Sequence, residues 1–119
     1  IVPVAADKVI LESSLAFAMK IHEWRTTGYS QVKEMYMLWN LVDAREKTDL
    51  YDQYEQIFED CGLKTMRTKI PDTKKYRREG SKTLNRAVFR STLVPPDKNL
   101  LKGTRLPELA DELLGILKL

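Results

Sequence analysis

Only one cysteine, Cys61, and one histidine, His22, occur in 119 residues. A lone thiol cannot close an internal disulfide, which excludes a disulfide-stapled fold and fits a reducing compartment. One His and one Cys also leave no His/Cys metal-ligand spacing anywhere in the chain. No apolar run approaches the roughly 20 residues that a membrane-spanning helix needs, and no basic segment with an apolar core and a small-residue cleavage site opens the chain. The expectation is a soluble, cytoplasmic protein with no membrane span. A phosphate-cradling loop of the form Gly-x-x-x-x-Gly-Lys-Ser/Thr is missing as well. Gly80-Ser81-Lys82 and Gly103-Thr104-Arg105 lack the preceding glycine at the required distance. The first residue is Ile1 rather than Met, from which a longer product, begun upstream, is expected.

What the chain does hold is 43% hydrophobic and 31% charged residues, the ordinary balance of one globular domain. A chain of this length buries roughly two thirds of its unfolded surface, enough for one modest core. The net charge of +3 conceals a segregation. Residues 1–63 carry 6 basic and 11 acidic side chains, residues 64–105 carry 13 basic and 3 acidic, and residues 106–119 carry 1 basic and 3 acidic. A basic middle stretch of this kind suits a polyanion partner, and it equally suits a solvated loop rich in Lys.

The hydrophobic pattern alternates between strand-like and helix-like segments. Ile1-Val2-Pro3-Val4 reads as the end of a short buried strand, limited on one side by Pro3. Ile10, Phe17, Ile21 and Trp24, with Leu11 and Ala18 beside them, recur at helical spacing up to the break at Thr26-Thr27-Gly28. The nearly unbroken apolar run from Met35 to Val42 predicts a strand buried on both faces. Thr48 then offers an N-cap to a second helix whose apolar face comprises Leu50, Tyr54, Ile57, Phe58 and Cys61, with Gly62 as its stop. Leu63 to Ile70 alternates, with Met66, Thr68 and Ile70 on one side, and predicts a third, half-exposed strand ended by Pro71. Asp72 caps a short basic helix in this reading, and Ala87 to Val94 adds a short strand. A closing helix, with Pro107 near its first turn, aligns Leu106, Leu109, Ala110, Leu113, Leu114 and Leu117. Strands and helices in alternation imply parallel pairing through right-handed crossovers. The expected architecture is α/β, a three-layer parallel sheet of three to four strands with flanking helices.

Four segments in this order carry a resemblance: Ile1-Val2-Pro3-Val4, Leu38-Trp39-Asn40-Leu41-Val42-Asp43-Ala44-Arg45, Thr68-Lys69-Ile70-Pro71 and the closing amphipathic helix. Together they resemble the second half of ParA/MinD/Soj-type P-loop ATPases, whose strand ends read "N-M-x-D-x-R" and "T-x-I-P". Trp39-Asn40-Leu41-Val42-Asp43, Ile70-Pro71-Asp72-Thr73-Lys74 and Val88-Phe89-Arg90-Ser91-Thr92-Leu93 are most similar to the TraA-type ParA homologues of conjugative transposons. The resemblance implies the C-terminal half of a P-loop NTPase (Rossmann-like) fold. It also implies a parent that binds ATP with Mg²⁺, dimerises around the nucleotide and acts with a partner protein in plasmid partition or conjugative transfer. Without the phosphate loop, neither catalysis nor a bound cofactor is expected of this chain alone.

Two residues take a nucleotide role from that resemblance. Asn40 would contact the adenine base, for which an amide supplies both donor and acceptor; the same side chain could simply satisfy loop backbone groups. Pro71 would form a flat wall against the adenine ring, and strand termination explains it equally well. Nonspecific DNA binding falls, by the same resemblance, to Lys69, Lys74, Lys75, Arg77 and Arg78, extended by Lys64, Arg67, Lys82, Arg86 and Arg90. The physics there is phosphate neutralisation with counterion release. His22 and Cys61 read as structural, and Asp43 and Arg45 as a solubilising pair. Two other functions compete with an ATPase fragment: an autonomous basic DNA-binding module, and a structural fragment that associates through exposed apolar faces.

Overall fold

The computed structural model describes residues 1–45, 48–74 and 98–118. Strand β1 (Val2–Val4), helix α1 (Lys8–Thr26), strand β2 (Tyr36–Trp39), helix α2 (Thr48–Asp60) and strand β3 (Lys64–Thr65) follow in alternation. A short helix α3 (Lys98–Leu101) and the closing helix α4 (Leu106–Leu117) complete the described elements. The strands pair in parallel in the order β1-β2-β3, with Val2 opposite Met37, Val4 opposite Trp39 and Met37 opposite Thr65. The molecule is a small α/β domain with a three-stranded parallel sheet flanked by helices, a generic Rossmann-like arrangement. The short basic helix beyond Lys74 and the strand at residues 87–94 lie outside the described residues.

The period of two along the strands decides where the core sits. Val2, Val4, Met37 and Trp39 are buried, while Pro3 is exposed and Tyr36 and Leu38 are half-buried. Leu11 and Ala18 of α1 and Tyr51 and Phe58 of α2 join those four strand residues in one hydrophobic cluster. Both crossover helices therefore serve the same face. The strand at Met35 to Val42 is buried on that face alone, and it ends earlier than its apolar run because Leu41 turns into the left-handed region at φ 54°. Helix α4 lies beside Tyr36 and Thr65, on the side of β2 that carries Tyr36.

Aromatic packing dominates this core. The Trp39 ring meets Tyr51 edge-on at 4.7 Å between centroids and Phe58 at 5.8 Å. Burying each such side chain contributes about 1.5–3 kcal/mol before cavity effects. Tyr51, absent from the expected face of α2, is 3% exposed, whereas Ile57 is 40% exposed. The buried stripe is Tyr51, Phe58 and, partly, Tyr54 and Cys61, one position round from the apolar count.

Helix α1 departs from expectation in the same way. Asp7 caps it, its carboxylate accepting from the N–H groups of Val9 at 3.0 Å and Ile10 at 3.1 Å. Leu11 and Ala18 face the sheet, but Ile10, Phe17 and Trp24 are among the exposed large hydrophobics. The sequence carries two apolar stripes on this helix, and the core takes the one with Leu11, Leu15, Ala18, Met19 and Ile21. Ala18 permits close approach of helix to sheet, which a Phe or Trp at the contact would prevent.

Two local devices shape the sheet. At its β1 edge, Val4 O accepts from Asn40 N at 2.7 Å, so the intervening Pro3 directs its backbone outward, where it has no N–H to offer another strand. At the opposite edge the third strand bulges. Met66 N donates to Met37 O and Ile70 N to Trp39 O, both at 2.9 Å, so four residues on one strand match two on the other. The extra chain, residues 67–69, arches out of the ladder, which is why β3 proper stops at Thr65. Pairing resumes through Val42 N to Ile70 O and Asp72 N to Val42 O, each 3.0 Å. The expected burial of Met66, Thr68 and Ile70 holds across the bulge.

Gly62 closes α2. Its φ of 78° and the bonds from Gly62 N to Glu59 O and Leu63 N to Phe58 O form a Schellman stop. A Cβ there would also lie 3.4 Å from the His22 ring. His22 thus packs α1 onto the end of α2.

Candidate functional site: the carboxyl end of the sheet

Parallel α/β sheets bind ligands beyond the carboxyl ends of their strands, because loops there are free to vary while the strands hold them in place. In this chain that end is built from the turn after β1, residues 40–45 after β2 and residues 70–73 of the third segment. Asn40, half-buried, follows Trp39 directly, and its backbone is held by Val4 O. Pro71, also half-buried, forms an isolated parallel bridge with Val42. The two residues named from the sequence thus stand at the ends of neighbouring strands. Between them Leu41 keeps a left-handed backbone that costs a non-glycine residue about 1–2 kcal/mol, with its side chain 49% exposed.

The described charged residues at this end include Asp7, Asp43, Arg45 and Asp72, with Lys8 and Lys74 next to them in the chain. Arg45 forks onto Asp43, with Nε and Nη2 at 3.1 and 2.9 Å from its two oxygens and the Arg45 N–H at 2.9 Å. Those bonds hold the Asp43 carboxyl below the usual range, and Asp43 first, then Asp72, raises the guanidinium in return. Asp43 and Asp72 act on Arg45, while Asp7 is engaged in capping α1.

The basic residues are placed unevenly. Lys69 is 32% exposed, its Nζ 3.7 Å from Glu55 and 5.4 Å over the Tyr51 ring. Glu55 in turn accepts from Trp39 Nε1 at 2.9 Å, so Lys69 belongs to the polar rim of the aromatic core. Lys64 bonds Glu34 at 2.9 Å and lies over Tyr36, and these bonds, from Lys64 first and then Tyr36, hold Glu34 below its ordinary value. Lys74 is exposed. Lys75, Arg77 and Arg78, with Lys82, Arg86 and Arg90, lie outside the described residues.

Sequence reasoning missed Glu55 and Glu112. A buried Trp needs an acceptor for its N–H, so a carboxylate on the facing helix was a readable signal for Glu55. Glu112 had none. It leaves α4 to accept from Arg67 N at 2.6 Å and Thr68 N at 2.8 Å, across 44 residues or more of chain. Two open clefts, of about 410 and 440 Å³, flank this contact; Arg67, Asp111 and Glu112 line both. Neither touches Asn40 or Pro71. Among the described residues no group of three or more His, Cys, Asp or Glu side chains is placed to hold a metal, and no helix is long and apolar enough to cross a membrane.

What the fold and this end define is a class: a parallel α/β domain with a polar amide and a proline at adjacent strand ends. No protein-family model, no curated protein and no solved structure matches the chain.

Proposed function

We propose that this chain forms the C-terminal part of a ParA/MinD/Soj-like ATPase of the TraA type, serving DNA partition or conjugative transfer. In this reading it supplies the adenine-contact end of the nucleotide site and a nonspecific DNA-binding surface. ATP and Mg²⁺ belong to the whole product, whose phosphate loop lies upstream. The observation that supports the reading is the placement of Asn40 directly after β2 and of Pro71 opposite Val42 on the neighbouring parallel segment. The Asn40 amide would read the base edge and the Pro71 ring would wall its face.

Two experiments test it. The coding sequence upstream of Ile1 should encode a strand, a phosphate loop and a helix, and in that product Asn40→Ala should weaken ATP binding about tenfold, the loss of one buried hydrogen bond. An upstream sequence without the loop, or unchanged affinity, refutes the nucleotide role. For DNA, a duplex titration should show affinity falling on the order of 10²-fold between 50 and 200 mM salt if four or five cations engage phosphates. Salt-independent binding, or none at low salt, removes the DNA surface.

Association is the second reading, favoured by the uncovered stripe on α1. Val9, Ile10, Phe17 and Trp24 are 71%, 42%, 58% and 41% exposed. A strictly monomeric elution in sizing chromatography at high concentration would eliminate it.

A further inference from the structure

Helix α4 sits on the domain with an unusual balance of contacts. None of its residues is fully buried; Leu106, Leu109, Leu113 and Ile116 are half-buried, while Leu114 and Leu117 are 47% and 62% exposed. At the middle of the contacting face stands a carboxylate, Glu112, only 11% exposed. The partners it meets are the backbone N–H groups of Arg67 and Thr68, freed from the β2 ladder by the bulge, with Arg67 Nε at 3.9 Å. Burial pushes the Glu112 carboxyl up, but bonding from Thr68 and from both N–H groups, with the Arg67 charge, outweighs it and holds the group below its usual value.

We propose that Glu112 is a latch: α4 is a releasable cover over the bulged edge of the sheet, closed by one carboxylate on two convergent backbone donors. Apolar docking is cooperative with the core, because each buried side chain shares neighbours with the next. A helix with no fully buried side chain lacks that coupling and can open while the rest stays folded. The bulge and the carboxylate explain each other. Residues 67 and 68 can leave the ladder because Glu112 accepts their N–H groups, and Glu112 can be buried because those groups satisfy it. Opened, the edge presents two unsatisfied donors and the Arg67 guanidinium, a site whose chemistry takes a carboxylate. Glu112 is a positioning residue in this scheme, acting by holding the helix in place.

Residue-resolved amide hydrogen exchange on the full chain tests it. In the unmutated protein at low denaturant, the amides of Arg67, Thr68 and α4 are expected to exchange together through one opening of small denaturant dependence. Met37, Trp39 and Phe58 are expected to exchange through a larger opening. In Glu112→Gln the first group should accelerate about 10- to 100-fold, the loss of charge-assisted bonds to two donors; the second group follows by the same factor at most, because global unfolding breaks those bonds as well. One shared opening in the unmutated protein, with the same large denaturant dependence for both groups, would show α4 to be part of the cooperative core. Unchanged exchange in α4 would show that its leucines, and not the carboxylate, hold it. Either outcome overturns the latch, and the unmutated protein alone decides whether α4 opens separately.

Discussion

Helices α2 and α4 are similar in length and amphipathic by sequence, yet they are held in different ways. The first inserts Tyr51 and Phe58 against Trp39, with no exposure of the Phe58 or Trp39 side chains. The second rests on half-buried leucines around Glu112. Shape-matched apolar burial is non-directional and shared among many neighbours, so it joins α2 to the global fold. A carboxylate on two N–H groups is directional and local, so it sets an orientation and a contact that one substitution can undo.

The largest expected effect is on the aromatic side of this comparison. Trp39→Ala should cost about 3–5 kcal/mol by chemical denaturation, because it opens a cavity between the sheet and α2 and removes the indole donor to Glu55. A loss below about 1 kcal/mol would mean that the aromatic cluster does not organise the core. Next comes the acid dependence of the carboxylate. The native Glu112 pKa lies below its unfolded value of about 4.3. Its stabilisation is therefore fully present above that value and is lost as pH falls through the native pKa. Urea midpoints measured from pH 6 down to pH 3 should fall less steeply in Glu112→Gln, which starts from a stability lower by about 1–2 kcal/mol. Parallel profiles would deny the carboxylate this role.

Gly62→Ala sharpens the contrast at the α2 end. The left-handed φ and the 3.4 Å approach to His22 together predict a loss of about 1–2 kcal/mol in thermal or chemical unfolding. At the small end, Leu117→Ser, on the uncovered side of α4, should change stability by no more than about 0.5 kcal/mol. A larger loss would mean that α4 is packed on that side in solution.

Alternation of strand and helix signals was enough to read the parallel sheet, since consecutive parallel strands require crossovers of helical length. The stop of α2 was legible for a similar reason, since Gly62 acts through its own backbone; the third strand, expected to run to Ile70 and end at Pro71, ends instead at Thr65, and Pro71 still bridges Val42. The faces were less legible. On α1 the apolar face expected from Ile10, Phe17, Ile21 and Trp24, with Leu11 and Ala18 beside them, splits: Leu11, Ala18 and Ile21 pack on the core, whereas Ile10, Phe17 and Trp24 stay exposed. Lys69 counted as one cation among several until Glu55 and Tyr51 were seen beside it.

Local chemistry alone, then, determined the order of elements, their parallel pairing, the stop at Gly62 and the concentration of positive charge after residue 63. Those follow from interactions within a few residues, which the sequence states directly. Only the tertiary structure decided which stripe of α1 meets the sheet, that residues 67–69 leave the ladder, and that a glutamate more than forty residues away receives their N–H groups. Such choices depend on volumes and unsatisfied donors brought together from distant segments, and no local pattern encodes that meeting.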